Sequence, residues 1–514
     1  MRNKLALIFV FCLLLLGWSN LYGQDKDITE SIKIDVKEYT LKNGMKVLIL
    51  ERFNSPTIAT YIYFRVGSVR EQNGQTGISH LLEHLLFKGS QTIGTTDYQS
   101  EKVLLEKQDE LMEKIDALER QEKALGKNPD ENPDIKALIE EVMTLNKELQ
   151  SYSIPREFSE IYTKNGAQDL NAATSWYETY YYEKLPANKL ELWAWLESDH
   201  LSNPVLRGFY EEKYTVLEER RTRSEDNPNG LLWEEFCATM FKAHPYHKPI
   251  IGWRTDVESL KRSQVEQYFK SYYTPNNAVA VIVGAVKADD VMALMRKYFE
   301  PIPAGTPVPP IITKEPEQFG EKRVTVEFDA QPVMIIGYKG TTIGTKDDYT
   351  FDLISTILGH GRLSRLYKKL VLDKKMCLEI GTGNMAYPDI GIFQYYAIPQ
   401  APYTAEQVEQ AIYDEIEVLK NELVSEKETQ RAKNLLQVSF LRGLNSNDGM
   451  AERLGSNEIT SSWRYLIDWL PNCQKITAED IRNAANKYFV PERRTVATLV
   501  TRKPAKKETS EKSE

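Results

Sequence analysis

Gly77-Ile-Ser-His-Leu-Leu-Glu-His-Leu-Leu-Phe-Lys-Gly89 is the stretch around which this chain is organised. Its apolar residues recur at helical spacing, which predicts a helix between two glycines. On a helix His80 and His84 lie four residues apart and share a face, with Glu83 close to both. The sequence therefore predicts two imidazoles and a carboxylate in one small region.

This combination is suited to a metal site. Neutral imidazole binds zinc, a catalytic zinc keeps one position for water, and an unliganded carboxylate can accept the proton of that water. We interpret His-x-x-Glu-His as an inverted zincin motif, in which His80 and His84 are ligands and Glu83 is the catalytic base. The alternative is a half-exposed helix whose histidines bind nothing, and the apolar face around the cluster favours the metal site.

Length and charge narrow the class of protein. The 514 residues are too many for one hydrophobic core and predict at least two domains. Residues 1–23 combine basic residues, an apolar run and a small residue at Gly23, which predicts a secretory signal peptide. Its removal leaves 63 Lys and Arg against 74 Asp and Glu, a balance that does not suit nucleic acid.

The remaining composition points to an exported protein. Cys237, Cys377 and Cys473 form no disulfide framework and no CxxC zinc site. No later apolar stretch is long enough to span a bilayer. We expect a mature chain outside the cytoplasm that does not cross the membrane, in the periplasm if the source is a bacterium with two membranes.

Several elements around the metal helix can be predicted from periodicity. Two alternating runs around Asn43-Gly44 predict a β-hairpin, and residues 57–66 predict a third strand. Residues 101–157 hold two heptad patterns, separated by residues 126–133, and predict an antiparallel coiled-coil hairpin that packs on itself or on a neighbouring domain. The first pattern consists of Leu104, Leu111, Ile115, Leu118 and Leu125.

Two downstream segments also carry candidate residues. Residues 171–181 form an aromatic run that predicts a strand. Residues 209–223 predict a helix rich in carboxylates, most of which would normally be solvated. Glu212 and Glu219 are seven residues apart and so share a face, and apolar neighbours indicate that the helix is partly buried.

A weak repeat divides the chain. Tyr272-Tyr-Thr-Pro275 and Tyr488-Phe-Val-Pro491 each precede an apolar strand, at an offset of 216 residues, while Gly67 and Gly340 follow strands at an offset of 273. The difference equals the length of the helical hairpin, so we predict two copies of one unit, the first with an insertion. The second copy has Leu353, Thr356 and Ile357 at the positions of the metal motif and should bind no metal.

These features predict the domain organisation. Residues 30–300 would form the metal-bearing half, with the hairpin 101–157 inserted, and residues 321–502 the second half. A proline-rich linker, residues 301–320, would be semi-rigid and exposed. Residues 503–514 form a charged tail, expected to be disordered.

The two halves, the motif and the carboxylate-rich helix together resemble the M16 metallopeptidases, the pitrilysin and mitochondrial processing peptidase family, over essentially the whole mature chain. Further matching stretches are Gly67-Ser68 with Arg70-Glu71, Phe87-Lys-Gly89, Asn171-Ala-Ala-Thr174 and His244-Pro-Tyr246 with Pro249 and Gly252. The resemblance implies an α+β fold of two homologous LuxS/MPP-like α/β sandwich halves that close around a chamber, in which peptides are hydrolysed with Zn²⁺.

The resemblance also implies roles for individual residues. The family's third zinc ligand ends a Glu-x-x-x-Val-x-x-Glu pattern, which matches residues 212–219, so Glu219 would be the ligand. Glu212 would orient a histidine or the water. Asn171 and Ala172 would belong to an edge strand that pairs with an extended substrate.

One departure predicts a partner. The family's second half usually carries an Arg and, seven residues later, a Tyr that hold the substrate carbonyl. Val371 and Leu378 stand at those places here, and neither side chain can donate a hydrogen bond. Related bacterial proteins often work as heterodimers, and this sequence resembles the zinc-bearing chain. We therefore predict a homologous partner subunit that supplies the Arg/Tyr pair.

Two other functions are weighed against the peptidase. A non-catalytic member of the family could serve as an assembly or binding subunit, although an intact set of His80, Glu83, His84 and Glu219 argues against it. A helical-hairpin interaction protein with an incidental motif would not explain the internal repeat.

Overall fold

A computed structural model describes residues 34–502, so the predicted signal peptide and charged tail lie outside the described residues. Its strands are β1 Lys37–Thr40, β2 Lys46–Glu51, β3 Thr57–Phe64, β4 Gln168–Thr174, β5 Thr179–Pro186, β6 Ala278–Gly284, β7 Lys322–Phe328, β8 Val333–Lys339, β9 Cys377–Met385, β10 Ile392–Pro399 and β11 Arg494–Thr501. No helix within residues 34–502 is long and apolar enough to cross a membrane.

The helices alternate with these strands. They are α1 Ile78–Leu86, α2 Tyr98–Ala124, α3 Pro133–Tyr152, α4 Glu157–Lys164, α5 Leu190–Ser202, α6 Phe209–Arg220, α7 Pro228–Met240, α8 Arg254–Ser259, α9 Arg262–Tyr272, α10 Ala288–Tyr298, α11 Lys346–Gly359, α12 Ala405–Asn421, α13 Glu426–Gly443, α14 Asn447–Thr460, α15 Arg464–Lys475 and α16 Ala478–Tyr488. Two π-helical turns, Arg221–Glu225 and Tyr367–Asp373, complete the regular structure used below.

The strands form two sheets with the same topology. The first has the order β1-β2-β6-β3-β5-β4 and the second the order β7-β11-β8-β10-β9. In each sheet the first strand of the repeat pairs in parallel with the last, and the remaining neighbours are antiparallel. With β1 set aside, the two orders coincide strand for strand, which confirms the α+β fold of two homologous halves.

One helix of each half packs on the sheet of the other half. Helix α14 of the second half packs on β3 and β6, while α7 of the first half packs on β7 and β11. Glycines permit both contacts: a Cβ on Gly455 would lie 1.9 Å from the Tyr63 ring, and one on Gly337 would lie 2.3 Å from the Phe236 ring. The reciprocal packing couples the two halves through buried side chains.

The predicted helical hairpin is present and rests against α6. Leu111, Ile115 and Leu145 are buried between α2 and α3. Buried Glu101 at the start of α2 pairs with Arg207 just before α6, at 2.6 Å, and Asp109 accepts a hydrogen bond from the Tyr210 hydroxyl at 2.9 Å. The insertion therefore supports the helix on which Glu212 and Glu219 lie.

Three details differ from the predictions, and a fourth concerns how the linker is held. Residues 171–181 are not one strand, because the chain turns at 175–178 and continues as β5. The carboxylate-rich helix is α-helical only to Arg220 and then widens into a π-helical turn. Leu125 lies beyond the end of α2 and is 60% exposed, so it does not join the heptad core. The linker is largely exposed, and it is anchored where the buried Glu315 carboxylate accepts hydrogen bonds from backbone amides of residues 242–244 and pairs with Lys339.

Candidate metal centre

Helix α1 is held at its N-terminus by a buried carboxylate. Glu71 accepts hydrogen bonds from the backbone amides of Gly77 at 2.9 Å and Ser79 at 3.0 Å, so it satisfies two amides that the helix leaves free. Burial raises the pKa of Glu71 to about 7. Gly77 has a φ of 85° and packs on Gly252, and a Cβ at either glycine would meet the backbone of the other. The direction of α1, and hence of its histidines, is set by these contacts.

Helix α6 brings two carboxylates to the histidines from more than a hundred residues away. Glu219 Oε2 lies 3.3 Å from His84 Nε2 and 3.6 Å from His80 Nε2. Glu212 Oε2 lies 3.3 Å from His84 Nδ1, and its other oxygen pairs with Lys88. The two residues are seven apart on α6, so both face α1, as the spacing predicted.

Hydrogen bonding and burial set the protonation of the two histidines. An ionised carboxylate can only accept hydrogen bonds, so the contact with Glu212 places a proton on His84 Nδ1. The other ring nitrogen, Nε2, faces Glu219. Burial lowers the pKa of His80 to about 4 and keeps this imidazole neutral. Burial also acts to lower the pKa of His84, but hydrogen bonds to Glu212 and Glu219 outweigh it and raise the pKa to about 9. A metal bound here would displace a proton from His84.

The donor set fits a tetrahedral divalent metal. Bonds of about 2.0 to 2.1 Å at tetrahedral angles separate two ligand atoms by roughly 3.4 Å. The distances of 3.3 Å and 3.6 Å from Glu219 to the histidines are close to that separation, and one atom from each of His80, His84 and Glu219 lies within 4.8 Å of the others. Three protein ligands leave one position open, as at hydrolytic zinc sites.

Glu83 lies beside this cluster and is held by a hydrogen bond from Thr174. Thr174 on β4 donates a hydrogen bond from its hydroxyl to Glu83 Oε2 at 2.5 Å. Burial raises the pKa of the Glu83 carboxyl, and the Thr174 hydrogen bond acts against that rise. A carboxylate with a raised pKa is a stronger base than an exposed one, which suits a group that takes up a proton and later returns it.

Two cavities meet at the cluster. One of about 650 Å³ extends past Glu219, with Trp176 and Trp233 in its wall. The other, of about 890 Å³, extends past Phe87 and Lys88 toward Arg156, at the end of the helical hairpin. Both are lined by Glu83, His84 and Asn171. The edge strand β4 runs along this continuous groove, with Asn171 exposed and Ala172 buried.

The structure thus brings together His80, Glu83, His84, Glu212 and Glu219, and it places Asn171 and Ala172 on the neighbouring edge strand. Sequence reasoning missed the roles of Glu71, Lys88, Thr174 and Arg223 in the centre. Thr174 was within a stretch that matched the family, and nothing local indicated that its hydroxyl would reach Glu83.

The second half has no such cluster. Leu353, Thr356 and Ile357 are buried in the core on α11, the counterpart of α1. Val371 packs against the core of the second half, and Leu378 lies on the edge strand β9 with 53% of its surface exposed. Neither position offers a side-chain donor.

Within residues 34–502, the fold and the centre define two repeated halves with one prospective metal site, in the first half. Residues 46–105 match the profile "Insulinase (Peptidase family M16)", and residues 259–436 match "Peptidase M16 inactive domain". The chain belongs to peptidase family M16.

Sequence similarity to known proteins extends over nearly the whole chain. The "Zinc protease PqqE" of Helicobacter pylori is 26% identical over 472 residues, which cover 90% of this chain and 92% of that protein. A probable mitochondrial-processing peptidase subunit beta of Arabidopsis thaliana is 22% identical, covering 88% of this chain and 75% of that protein. The crystal structure of a protease from Helicobacter pylori superposes with a TM-score of 0.76 at 25% identity, covering 92% of this chain and all of that one. Several relatives are named zinc proteases, in agreement with the donor set described above.

Proposed function

We propose that this protein is a zinc-dependent endopeptidase that hydrolyses unfolded or short peptides. The observation that carries the proposal is the meeting of His80, His84 and Glu219 beside the buried carboxylate of Glu83, in a groove bordered by an edge strand. Two imidazoles and a carboxylate form a common ligand set of hydrolytic zinc sites. The names of the relatives support zinc over other divalent metals.

The residues of the chain divide the chemistry among them. His80, His84 and Glu219 would hold zinc, which supplies a water of lowered pKa and polarises the scissile carbonyl. As the water oxygen bonds to the carbonyl carbon, Glu83 accepts a proton from that water. Glu83 then gives that proton to the amide nitrogen as the carbon–nitrogen bond breaks. Thr174 holds Glu83 in place, and Glu212 holds the ring of His84.

The edge strand indicates the form of the substrate. Among residues 34–502, strand β4 has a partner strand on one side only, and its residues 171–174 line the groove. An extended peptide can pair along this open edge at Asn171 and Ala172 as an added strand. The Ala172 amide donates to the Asn171 side-chain oxygen at 2.9 Å, and that oxygen would have to turn away for the amide to bind the peptide. Since a folded protein rarely presents such a segment, unfolded or short peptides suit this groove best.

Hydrolysis of an unstructured fluorogenic peptide tests the proposal. The zinc-loaded mature chain should turn the peptide over, and Glu83→Gln should retain zinc while losing at least about a hundredfold in kcat, because it cannot accept a proton. Turnover that survives in Glu83→Gln would refute the role of Glu83. Zinc binding without turnover, also in the presence of a partner, would favour the alternative of a non-catalytic assembly or binding subunit.

We further propose that a homologous partner completes the chamber with an Arg/Tyr pair. The support is the absence of side-chain donors at Val371 and Leu378. Replacing them together, as Val371→Arg with Leu378→Tyr, should raise the activity of the isolated chain. An isolated chain that is already highly active and unchanged by the double substitution would exclude the need for this partner.

Export is the remaining element of the proposal. Residues 1–23 are expected to direct the chain out of the cytoplasm and to be removed near Gly23. Sequencing the N-terminus of the protein recovered from the periplasm of its source would test the cleavage site. Recovery of the uncleaved chain from the cytoplasm alone would exclude export.

A further inference from the structure

Apart from a bound metal ion, the candidate centre supplies mainly negative charge at a place where hydrolysis builds up an oxyanion. Glu83, Glu212 and Glu219 surround the two histidines. When water adds to a peptide bond, the carbonyl oxygen becomes an oxyanion, and hydrogen-bond donors aimed at this oxygen stabilise the transition state strongly. A donor of this kind within the chain has to be a polar or cationic group that reaches the groove.

Two cationic side chains line the cavity beside Glu219, and one of them, Arg223, pairs with Glu219 itself. Lys248 is buried, and its ammonium group donates to the backbone carbonyl of Glu71 at 2.8 Å. Arg223 Nη2 lies 2.8 Å from Glu219 Oε1, and its side chain is 71% exposed. A guanidinium has five N–H donors in a planar fork, so one contact to Glu219 leaves others for a ligand.

The contact with Glu219 places the guanidinium next to the prospective metal position. Glu219 Oε1 meets Arg223, while Oε2 of the same carboxylate faces both His84 and His80. A carbonyl oxygen that approaches the position between the three ligands therefore comes within reach of the Arg223 fork. Glu83, which would serve as the base, lines the same cavity.

The backbone holds the stem of Arg223 while its head group stays accessible. Arg223 lies in the π-helical turn Arg221–Glu225, which packs against α7. Gly230 on α7 allows this contact, since a Cβ there would lie 1.9 Å from the Arg223 carbonyl oxygen. Single π-helical turns inside helices often occur at functional sites.

We propose that Arg223 is a catalytic residue that donates a hydrogen bond to the scissile carbonyl oxygen as its negative charge develops. Arg223 keeps its proton throughout: the water oxygen bonds to the carbonyl carbon, the carbonyl π pair moves onto oxygen, and the water's proton goes to Glu83. This inference rests on the proposed peptidase activity. It assigns one donor to this chain itself, whether or not a partner adds others.

Arg223→Ala, with Arg223→Lys beside it, tests the proposal in the zinc-loaded mature chain. Arg221→Ala is the matched control, because Arg221 lies in the same turn but pairs with Glu218 and Asp226 outside the cavity. We measure kcat and KM on the fluorogenic peptide, the zinc affinity by chelator competition, and the affinity of a phosphinic peptide whose tetrahedral group imitates the intermediate. Thermal unfolding checks the fold of each variant.

For Arg223→Ala we expect kcat to fall by about a hundredfold to a thousandfold, with KM and zinc affinity changed by only a few fold. The phosphinic peptide should lose affinity by a similar factor, Arg223→Lys should recover part of it, and Arg221→Ala should resemble the unsubstituted chain. Unchanged kcat and phosphinic affinity in Arg223→Ala would overturn the proposal, and so would a loss of zinc affinity of about ten to a hundredfold that accounts for the whole defect. An unsubstituted chain that binds zinc but neither cleaves the peptide nor binds the analogue, even with a partner, would instead overturn the proposed function.

Discussion

Thr174→Val removes the hydroxyl that binds Glu83 while keeping the shape of the side chain. The lost contact is a hydrogen bond of 2.5 Å between the Thr174 hydroxyl and Glu83 Oε2, a carboxylate in a buried site. Hydrogen bonds to charged groups contribute about 1.5 to 3 kcal/mol. If that energy is lost from the transition state, kcat falls by a factor of roughly 10 to 150, at 1.4 kcal/mol per tenfold change.

The same substitution should change the pH dependence. The Thr174 hydrogen bond lowers the pKa of Glu83 against the rise that burial causes, so its removal raises the pKa further. Since the base acts when deprotonated, the acid limb of the kcat profile should move to higher pH. Thr174→Ser keeps the hydroxyl and should retain most of the activity.

Steady-state kinetics of Thr174→Val and Thr174→Ser across pH, together with the zinc content of each variant, measures these effects. Zinc content should stay at the level of the unsubstituted chain, because Thr174 does not touch a ligand. A serine variant as defective as the valine variant, or a valine variant with full kcat and an unshifted acid limb, would refute the reasoning.

Three further predictions concern the centre and its support. Glu212→Gln weakens the hold on the His84 ring and should lower zinc affinity by about ten to a hundredfold, as measured by chelator competition. Burial raises the pKa of Glu178 to about 7, above its value near 4.5 in the unfolded chain, so its protonated form stabilises the fold at low pH. As pH rises from about 4.5 to 7, up to about 3 kcal/mol of unfolding free energy should be lost, and Glu178→Gln should flatten this slope in denaturant titrations. Gly455→Ala forces a methyl group against the Tyr63 ring and should lower the unfolding free energy by about 1 to 3 kcal/mol.

Each of these has its own control. Glu211→Gln lies on the same helix and contacts Asn146 at 3.4 Å, away from the histidines, so equal zinc loss in both variants would contradict the role of Glu212. If the unfolding free energy of Glu178→Gln still falls as steeply with rising pH, other buried carboxyls are the cause of that pH dependence. Gly381→Ala is the comparison for Gly455, since a Cβ at Gly381 meets nothing within 4 Å. Equal destabilisation by the two alanines would show that contact with Tyr63 is not the cause, because Gly→Ala without a steric clash restricts the unfolded chain and normally stabilises a fold.

Much of the local architecture could be predicted from the sequence. Helical periodicity places His80 and His84 on one face whatever surrounds them, because 3.6 residues per turn is a property of the backbone. The same holds for Glu212 and Glu219 on α6. The two offsets, 216 and 273, predicted a duplicated unit, and the sheets have the same strand order.

Two other local features could not be predicted from the sequence pattern. The turn between β4 and β5 consists of Ser175-Trp-Tyr-Glu178, without the Gly, Asn or Pro that usually announce a hairpin, so the run was predicted as one strand. The π-helical turn after Arg220 likewise follows no glycine or proline. The turn packs against α7, a contact that the local sequence does not encode.

The tertiary structure alone decided which polar groups meet. Thr174 reaches Glu83 across 91 residues, and Glu71 caps α1. Short-range periodicity is encoded in neighbouring residues, so the chemistry of the metal helix could be inferred from a dozen letters. The contacts that orient the side chains of the centre and shift their pKa values depend on how sheets and helices pack. That packing is set by the burial of side chains distributed along the whole chain.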